Sequence, residues 1–296
     1  MERKQASDFP PEVLELFDGY VHGRVSRREF LDRAAIYAVG GVTALGFLEM
    51  LSPNFALAEQ VKKDDPRIKT QWLNYAAKAG SGDMRGYLVT PAKAGKAPGV
   101  VVFHENRGLN PYIEDVARRI AAAGYVAFAP DALAPVGGYP GNEDKAREMF
   151  NKLEQPKVIE NLMAAYPILK DRPECNGKVG AVGFCMGGLY TNLMATRFPD
   201  LRAAVPFYGP PPPNLADVAK IKAPMLVQLA ENDNFVNSKW PALEEALKAN
   251  KVDYTMRMYP NTQHGFHNDT TPRYDEAAAR LAWQRTLDFF DLHLRG

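Results

Sequence analysis

Apolar runs and amphipathic stretches alternate along most of the chain. The clearest apolar run, residues 98–104, is continuous and rich in β-branched residues, which is typical of a strand buried on both faces. Residues 113–123 follow with helical spacing, and the two patterns then repeat. We expect further strands at residues 85–90, 125–129, 178–184, 203–208, 224–230 and 254–259, and further helices at residues 142–152, 156–169, 187–197, 238–250 and 272–294.

The alternation of strands and helices predicts the fold class. Strands separated by helices need crossover connections, which build a mostly parallel sheet with helices on both faces. We therefore expect residues 59–296 to form one α/β domain around a mostly parallel central sheet.

Residues 1–58 have a different pattern. The string from Ser26, Ser-Arg-Arg-Glu-Phe-Leu, resembles a twin-arginine export signal, and the apolar run at residues 34–48 suits the core of a signal peptide. The small-x-small sequence at residues 56–58 then predicts cleavage before Glu59. This interpretation makes residues 1–58 a removable leader and places the protein in the periplasm.

A second interpretation of residues 1–58 stays open. Residues 1–25 carry three basic and five acidic side chains, whereas the first part of a signal peptide is short and positive. Residues 11–21 also have the apolar spacing of an amphipathic helix. On this interpretation the segment is a retained helical arm that packs on the domain or on a second subunit, and the protein is cytoplasmic.

Composition narrows the function classes. The 296 residues contain 36 Lys and Arg against 35 Asp and Glu, a net charge of +1, so no electrostatic argument favours a nucleic-acid partner. The apolar run at residues 34–48 is too short to span a bilayer, so we expect no stable membrane anchor.

Cys175 and Cys185 are the two cysteines, and they form either one bridge or two separate thiols. No cluster of Cys and His has the spacing of a metal site. The oligomeric state is not predicted.

Cys185 lies in the most informative segment of the chain. An apolar strand at residues 178–184 enters the pattern Gly183-Phe-Cys185-Met-Gly187 and then a helix, which predicts a strained strand–turn–helix elbow. Such a turn presents the side chain at a helix N-terminus, where the dipole lowers the pKa of a thiol. We therefore expect Cys185 to be a nucleophile, and Cys175, in an ordinary turn, to be inert.

A nucleophile needs a base and an acid that orients it. His264 stands in a loop after a strand and before a glycine, and is our candidate base, with His267 as the second choice. The orienting acid should lie between nucleophile and base in the chain. We favour Asp233 over Glu231, because the first residues past a strand usually turn away. The remaining candidates near the termini, His22 and His293, need only a surface or helix-dipole role.

These residues resemble the dienelactone hydrolases of the α/β-hydrolase fold. The resemblance rests on the cysteine in the elbow and on His-Glu-x-x-Gly after an early strand, here beginning at His104, and it covers about residues 83–296. It implies a catalytic set of Cys185, Asp233, His264 and the accessory base Glu105, and an oxyanion hole made by the backbone N–H groups of Met186 and Asn106.

The resemblance implies hydrolysis of a small-molecule ester or lactone through a thioester, with no metal and no organic cofactor. Family members carry an arginine four residues past the histidine, where this chain has Asn268. Arg107 is our candidate replacement for binding a substrate carboxylate. Residues 131–138 are a candidate loop to cover the site. The alternative from another class is a ligand-binding or thiol redox-sensing protein on the same scaffold.

Overall fold

The computed structural model describes residues 4–93 and 95–296, with an eight-stranded sheet at the centre of the domain. The strands are β1 Ile68–Ala77, β2 Gly82–Pro91, β3 Ala97–Phe103, β4 Val126–Pro130, β5 Cys175–Phe184, β6 Ala203–Phe207, β7 Met225–Asn232 and β8 Tyr254–Gln263. Their order is β1-β2-β4-β3-β5-β6-β7-β8. The pairs β1–β2 and β2–β4 are antiparallel, and every later pair is parallel.

Helices cover both faces of this sheet, as the alternating pattern predicts. The α-helices are α1 Pro11–Val21, α2 Arg27–Ala34, α3 Ala44–Leu51, α4 Phe55–Ala58, α5 Pro111–Ala122, α6 Glu143–Asn151, α7 Gln155–Met163, α8 Ala165–Lys170, α9 Met186–Arg197, α10 Asn234–Asn237, α11 Trp240–Ala249 and α12 Glu276–Phe290. One apolar core lies between the sheet and α7–α9, and the other lies between the sheet and α5 and α12. The expectation of a mostly parallel sheet with helices on both faces is confirmed.

The structure differs from the predicted elements in three places. Strand β1 was not expected, since it lies at the sheet edge and exposes alternate side chains such as Trp72. The helix predicted at residues 156–169 is divided at Ala164 into α7 and α8. The last helix begins at Glu276 rather than at residue 272, because the Asp275 side chain caps its first turn.

Residues 4–58, called the arm below, form helices α1–α4 and have an apolar cluster of their own. Its buried members are Phe9, Val13, Leu14, Leu16, Phe17, Tyr20, Val21, Phe30, Ala34, Phe47, Leu48 and Leu51. Helix α1 has the bounds that the amphipathic spacing predicts. The arm is therefore a small packed unit beside the main domain.

The string that resembles an export signal has a local structural role in the arm. The Ser26 side chain accepts from the Glu29 N–H and the Glu29 carboxylate accepts from the Ser26 N–H, a capping box that starts α2. The apolar run that follows is interrupted by Gly40 and Gly41, which both have positive φ. Among the described residues, no helix combines the length and the apolarity needed to cross a bilayer.

Candidate active site

Cys185 stands between β5 and α9 in a strained backbone conformation, with φ 56° and ψ −116°. The flanking glycines make this turn possible. A Cβ on Gly183 would lie 2.1 Å from the Gly187 carbonyl oxygen, and one on Gly187 would lie 2.4 Å from the Phe103 carbonyl oxygen. The glycine spacing therefore reflects close backbone approach, and the strain holds the thiol at the carboxyl end of the sheet.

His264 and Asp233 meet beside this elbow. The His264 Nδ1 atom lies 2.6 Å from the Asp233 Oδ2 atom, and a ring nitrogen of His264 lies within 4.8 Å of the Cys185 Sγ atom. Asp233 is held in place because its other oxygen accepts from the Val236 N–H at the start of α10. Since a carboxylate only accepts, Nδ1 donates to it and Nε2 faces the sulfur. The structure thus brings together the three residues expected to act as nucleophile, base and orienting acid.

The two rival candidates lie elsewhere. Glu231 is exposed and accepts from the Asn261 N–H at 2.7 Å. His267 is buried, its Nδ1 atom is 2.7 Å from the Tyr112 hydroxyl, and its ring stacks on Phe184. Burial, reinforced by the Arg119 charge, lowers the pKa of His267 well below its ordinary value. Both side chains have partners away from the sulfur.

His22 lies in the site, so the expectation of a surface role for it is wrong. Its Nε2 atom is 3.4 Å from the Cys185 Sγ atom and 3.3 Å from the His264 Nε2 atom. Its Nδ1 atom is 2.8 Å from the Asp18 carbonyl oxygen, one turn earlier in α1. No spacing rule pointed to His22, because only the docking of the arm brings it to the elbow.

The two imidazoles ionise the thiol. Burial opposes ionisation of Cys185, but His264 and then His22 outweigh it and lower the thiol pKa to about 6. Burial likewise opposes protonation of His264, yet the Cys185 sulfur and the Asp233 carboxylate raise its pKa well above the ordinary value. The site therefore favours a thiolate beside an imidazolium.

Glu105 also faces the site. Its Oε2 atom accepts from the Asn268 Nδ2 atom at 3.0 Å. Asn268, at the position of the expected arginine, therefore binds Glu105. The preceding residue, His104, has a structural role. It is fully buried, its Nδ1 atom is 2.5 Å from the Glu105 carbonyl oxygen, and its Nε2 atom accepts from the Ala132 N–H.

The proposed oxyanion donors belong to the first residue of α9 and to the loop after β3. Met186 is the first residue of α9, so its N–H is one of those that have no acceptor within the helix. Asn106 lines the same cavity as Cys185 and follows Glu105 in the loop after β3. This arrangement suits an oxygen that develops negative charge above the thiol.

Arg107 is buried rather than on the surface. Its Nε atom lies 2.9 Å from the Glu143 Oε2 atom, and its Nη1 atom lies 3.4 Å from the Val21 carbonyl oxygen. It lines the cavity together with Arg273, a second cation that the motifs did not reveal. Arg273 lies 3.5 Å from an Asp18 carboxylate oxygen of the arm.

The cavity at Cys185 is narrowed by the arm, and its free space is about 40 Å³, enough for two or three waters. Its lining comes from the arm and the domain: Phe17, Tyr20, Val21, His22, Ser52, Pro53, Glu105, Asn106, Arg107, Glu143, Asp144, Cys185, His264, Asn268, Thr271 and Arg273. None of residues 131–138 lines the cavity in the part of the chain that the structure describes. The loop that we expected to cover the site therefore does not cover it. Asp131 is instead buried beside Arg85.

The two cysteines are free. They mark the two ends of the ten-residue strand β5 and its elbow, about 30 Å apart at the usual rise of a strand. A disulfide needs Cα atoms within about 7 Å, so the two thiols cannot form a bridge. Burial raises the pKa of Cys175, which agrees with an inert thiol.

Comparison with known proteins gives two family matches. The dienelactone hydrolase family matches residues 84–294, and a family described as YqhI-like matches residues 1–39. The first covers most of the domain, and the second covers the larger part of the arm.

Three individual relatives illustrate the likeness. A protein of Escherichia coli strain K12 that is named as a hydrolase fragment, YghX, is 59% identical to this chain. The match covers 38% of this chain and 97% of the relative. A Bradyrhizobium protein named "Probable 2-oxo-3-(5-oxofuran-2-ylidene)propanoate lactonase" is 32% identical over 77% of this chain and 96% of its own. The crystal structure of the dienelactone hydrolase-like promiscuous phosphotriesterase P91, from metagenomic libraries, covers 77% of this chain and 99% of its own with a TM-score of 0.66 and 26% identity.

Solved esterases with the same sheet and helix arrangement agree with the α/β-hydrolase fold, including one from Pseudomonas putida with a TM-score of 0.63 and 18% identity. Together with the match over residues 84–294, these likenesses show that the chain belongs to the dienelactone hydrolase family and is a carboxylic ester hydrolase.

Proposed function

We propose that the protein hydrolyses a small ester or lactone with Cys185 as the nucleophile, through a thioester acyl-enzyme. One observation carries the proposal: the strained elbow aims a low-pKa thiol at an imidazole that Asp233 already orients. A low thiol pKa keeps the nucleophile ionised near neutrality. A buried structural cysteine needs neither the strain nor the ordered partner.

In the first half of the reaction the Cys185 thiolate attacks the carbonyl carbon. The backbone N–H groups of Met186 and Asn106 donate to the resulting oxyanion. The C–O bond breaks, and the leaving alkoxide takes a proton from the His264 imidazolium. With a lactone the alcohol stays attached, so the acyl group is ring-opened.

In the second half water hydrolyses the thioester. His264 Nε2 takes a proton from water while its Nδ1–H donates to Asp233, and the hydroxide adds to the acyl carbon. The C–S bond breaks, and the carboxylic acid leaves with the thiolate restored. Glu105 serves as an accessory base for the fraction of molecules whose thiol is still protonated, and it acts when substrate displaces its contact with Asn268.

A substrate that bears a carboxylate fits the lining of the cavity. Arg107 and Arg273 both face the space beside Cys185, and the carboxylate of Asp18 lies against Arg273 in the closed arrangement. We propose Arg107 as the residue that binds the substrate carboxylate. The Bradyrhizobium relative, whose name describes a lactonase acting on a propanoate, supports this class of substrate.

Substrate entry requires the arm to move. Sites for small molecules usually have about 300–1,000 Å³, whereas the closed cavity has about 40 Å³. Several contacts between arm and domain are polar: the Asn106 side chain donates to the Val21 carbonyl oxygen, and the Asp144 carboxylate accepts from Tyr20 and Arg27. Because helices α1–α3 share an apolar cluster of their own, this part of the arm can leave as a unit.

Export remains a proposal that fits this picture. The twin-arginine-like string supports passage to the periplasm, and cleavage after Ala58 would remove His22 and open the cavity. Retention of residues 1–58 would leave a cytoplasmic protein that opens by undocking. The intact mass of the protein isolated from the cells that make it decides between the two, since only cleavage yields a chain that starts at Glu59.

The proposed chemistry is tested by turnover of p-nitrophenyl acetate and small lactones. We expect Cys185→Ala to lower kcat/KM by about 10³-fold or more, and Cys175→Ala, the matched control, to leave it unchanged. Equal rates for the wild type and Cys185→Ala would overturn the mechanism. That result would support the alternative function, a ligand-binding or redox-sensing protein, which the family match does not favour.

A further inference from the structure

We propose that His22, Cys185 and His264 form a binding site for Zn²⁺, and that the metal fastens the arm over the nucleophile. The metal is an inhibitory ligand in this proposal, since the hydrolysis described above needs none. The binding itself stands on geometry alone, whereas the inhibition rests on the proposed function.

The first argument is the separation of the three ligand atoms. Zn–N and Zn–S bonds of about 2.0–2.1 Å and 2.3 Å at tetrahedral angles place two nitrogens about 3.3 Å apart and a nitrogen about 3.6 Å from a sulfur. The two Nε2 atoms of His22 and His264 are 3.3 Å apart, and the sulfur is 3.4 Å from His22. The remaining edge, from the sulfur to His264, is no longer than 4.8 Å.

The second argument is the direction of the lone pairs. The His22 Nδ1 atom faces a backbone carbonyl oxygen and the His264 Nδ1 atom faces a carboxylate, and neither acceptor can donate. Once the Nε2 protons are removed, the Nε2 lone pairs of both rings therefore point at each other and at the sulfur. In the metal-free site the His264 proton lies among these electron pairs, and a divalent cation can take its place.

The third argument is the set of groups behind the ligands. Histidines that bind zinc usually donate their other ring N–H to a carboxylate or a backbone carbonyl. His264 does so to Asp233, and His22 does so to the Asp18 carbonyl oxygen with the Asp18 carboxylate 3.2 Å from the same nitrogen. The small cavity beside the sulfur leaves room for a water as the fourth ligand.

The donor set selects the kind of metal. One thiolate and two imidazoles suit Zn²⁺, whereas Mg²⁺ and Ca²⁺ prefer oxygen ligands. When zinc binds, the His264 imidazolium gives its Nε2 proton to solvent, and the Zn–S and two Zn–N bonds form with no change of oxidation state. Both the nucleophile and the base are then occupied, and His22 ties the arm to the domain through the metal.

The test uses the full chain, freed of metal and kept reduced, and titrates it with Co²⁺ followed by Zn²⁺. We expect a thiolate-to-cobalt charge-transfer band that saturates at one equivalent and is abolished by Zn²⁺ but not by Mg²⁺. His22→Gln should raise the zinc Kd by about 100-fold or more, because loss of even an outer-shell partner costs about 10–100-fold. His293→Gln, a histidine in the last turn of the chain, should bind zinc like the wild type.

A second variant guards against misfolding of the first. Asp18→Asn keeps the His22 ligand, and we expect it to weaken zinc binding about tenfold while its circular dichroism stays unchanged. Absence of the charge-transfer band in the wild type, or equal zinc affinity of the wild type and His22→Gln, would overturn the proposal.

Turnover of p-nitrophenyl acetate separates this proposal from the hydrolase mechanism. We expect zinc to suppress turnover in the wild type, a chelator to restore it, and the same zinc concentration to have little effect on His22→Gln. A wild type that turns over ester but shows no cobalt band would overturn the metal site alone. A cobalt band in a protein that never hydrolyses an ester would leave the metal site and overturn the proposed function.

Discussion

The Nε2 atom of His22, at the end of α1, lies 3.3 Å from the Nε2 atom of His264, in the loop after β8. The catalytic position of His264, where it would exchange protons with a leaving group or with water, is therefore occupied by a side chain of the same protein. With the arm docked, the candidate catalytic residues are assembled and about 40 Å³ of free space is left beside them. Closure by the arm and the chemistry at Cys185 are separable properties of the protein.

Weakening the contacts that hold the arm on the domain should raise the hydrolytic activity. Asp144 accepts from both Tyr20 and Arg27 of the arm, so Asp144→Ala removes two contacts without touching the elbow. A loss of about 1 kcal/mol in docking enlarges the open population about fivefold. We expect kcat/KM for a small ester to rise by that factor. Asp200→Ala, which breaks an exposed ion pair with Lys170, is the control and should change nothing. A fall in activity for Asp144→Ala would contradict closure by the arm.

The pH dependence follows from the thiol pKa. Because the pKa of Cys185 is lowered to about 6, the thiolate is lost as pH falls through 6 and is complete above it. We expect kcat/KM to rise with pH through this value and then to level off. His22→Gln removes one of the charges that lower the pKa, so the midpoint should move upward.

Thiolate absorbance measures this shift directly, without substrate. Cys175→Ser is the control and should leave the midpoint near 6, since that thiol is protonated well into the alkaline range. A midpoint that does not move in His22→Gln would show that the imidazole of the arm does not act on the sulfur.

The assignment of the orienting acid has a matched pair of variants. Asp233→Asn turns the partner of His264 Nδ1 into a neutral amide, and we expect a fall in kcat of about 10²–10⁴-fold. Glu231→Gln changes an exposed side chain that faces Asn261, and we expect less than a twofold change. Steady-state kinetics on one neutral ester is sufficient, and the reverse order of effects would reassign the acid to Glu231.

The carboxylate subsite predicts a split between two substrates. Arg107→Gln should raise KM for a lactone that carries a carboxylate by about tenfold or more, since a hydrogen-bonded charge pair contributes about 1.5–3 kcal/mol. The KM for p-nitrophenyl acetate, which carries no carboxylate, should change little. Arg273→Gln is measured beside it, and a charge-specific loss there instead of at Arg107 would move the subsite to Arg273.

The parts of the site that sequence could predict are those fixed by local geometry. The elbow at Cys185 follows from glycines whose missing Cβ atoms the neighbouring backbone requires. Helix α1 has the predicted bounds because amphipathic spacing and a proline at its first position act within one segment. The mostly parallel sheet follows the same logic, since buried parallel strands leave continuous apolar runs.

The parts that sequence did not predict depend on packing between distant segments. Nothing in residues 11–22 records that the Val21 carbonyl oxygen will accept from the Asn106 side chain, 85 positions later. His22 therefore looked like a surface residue. Strand β1 was missed for a related reason, because an edge strand with an exposed Trp72 needs no apolar run and is defined by its pairing with β2.

The central claim, that acyl transfer passes through the sulfur of Cys185, is tested most directly by trapping the acyl-enzyme. The protein is mixed with p-nitrophenyl acetate, quenched in acid within one turnover and digested, and the peptides are weighed by mass spectrometry. We expect one acetyl group on the peptide that contains Cys185 and none on the peptide that contains Cys175. Continued turnover with the acetyl group on any other residue, or with Cys185 never labelled, would contradict it.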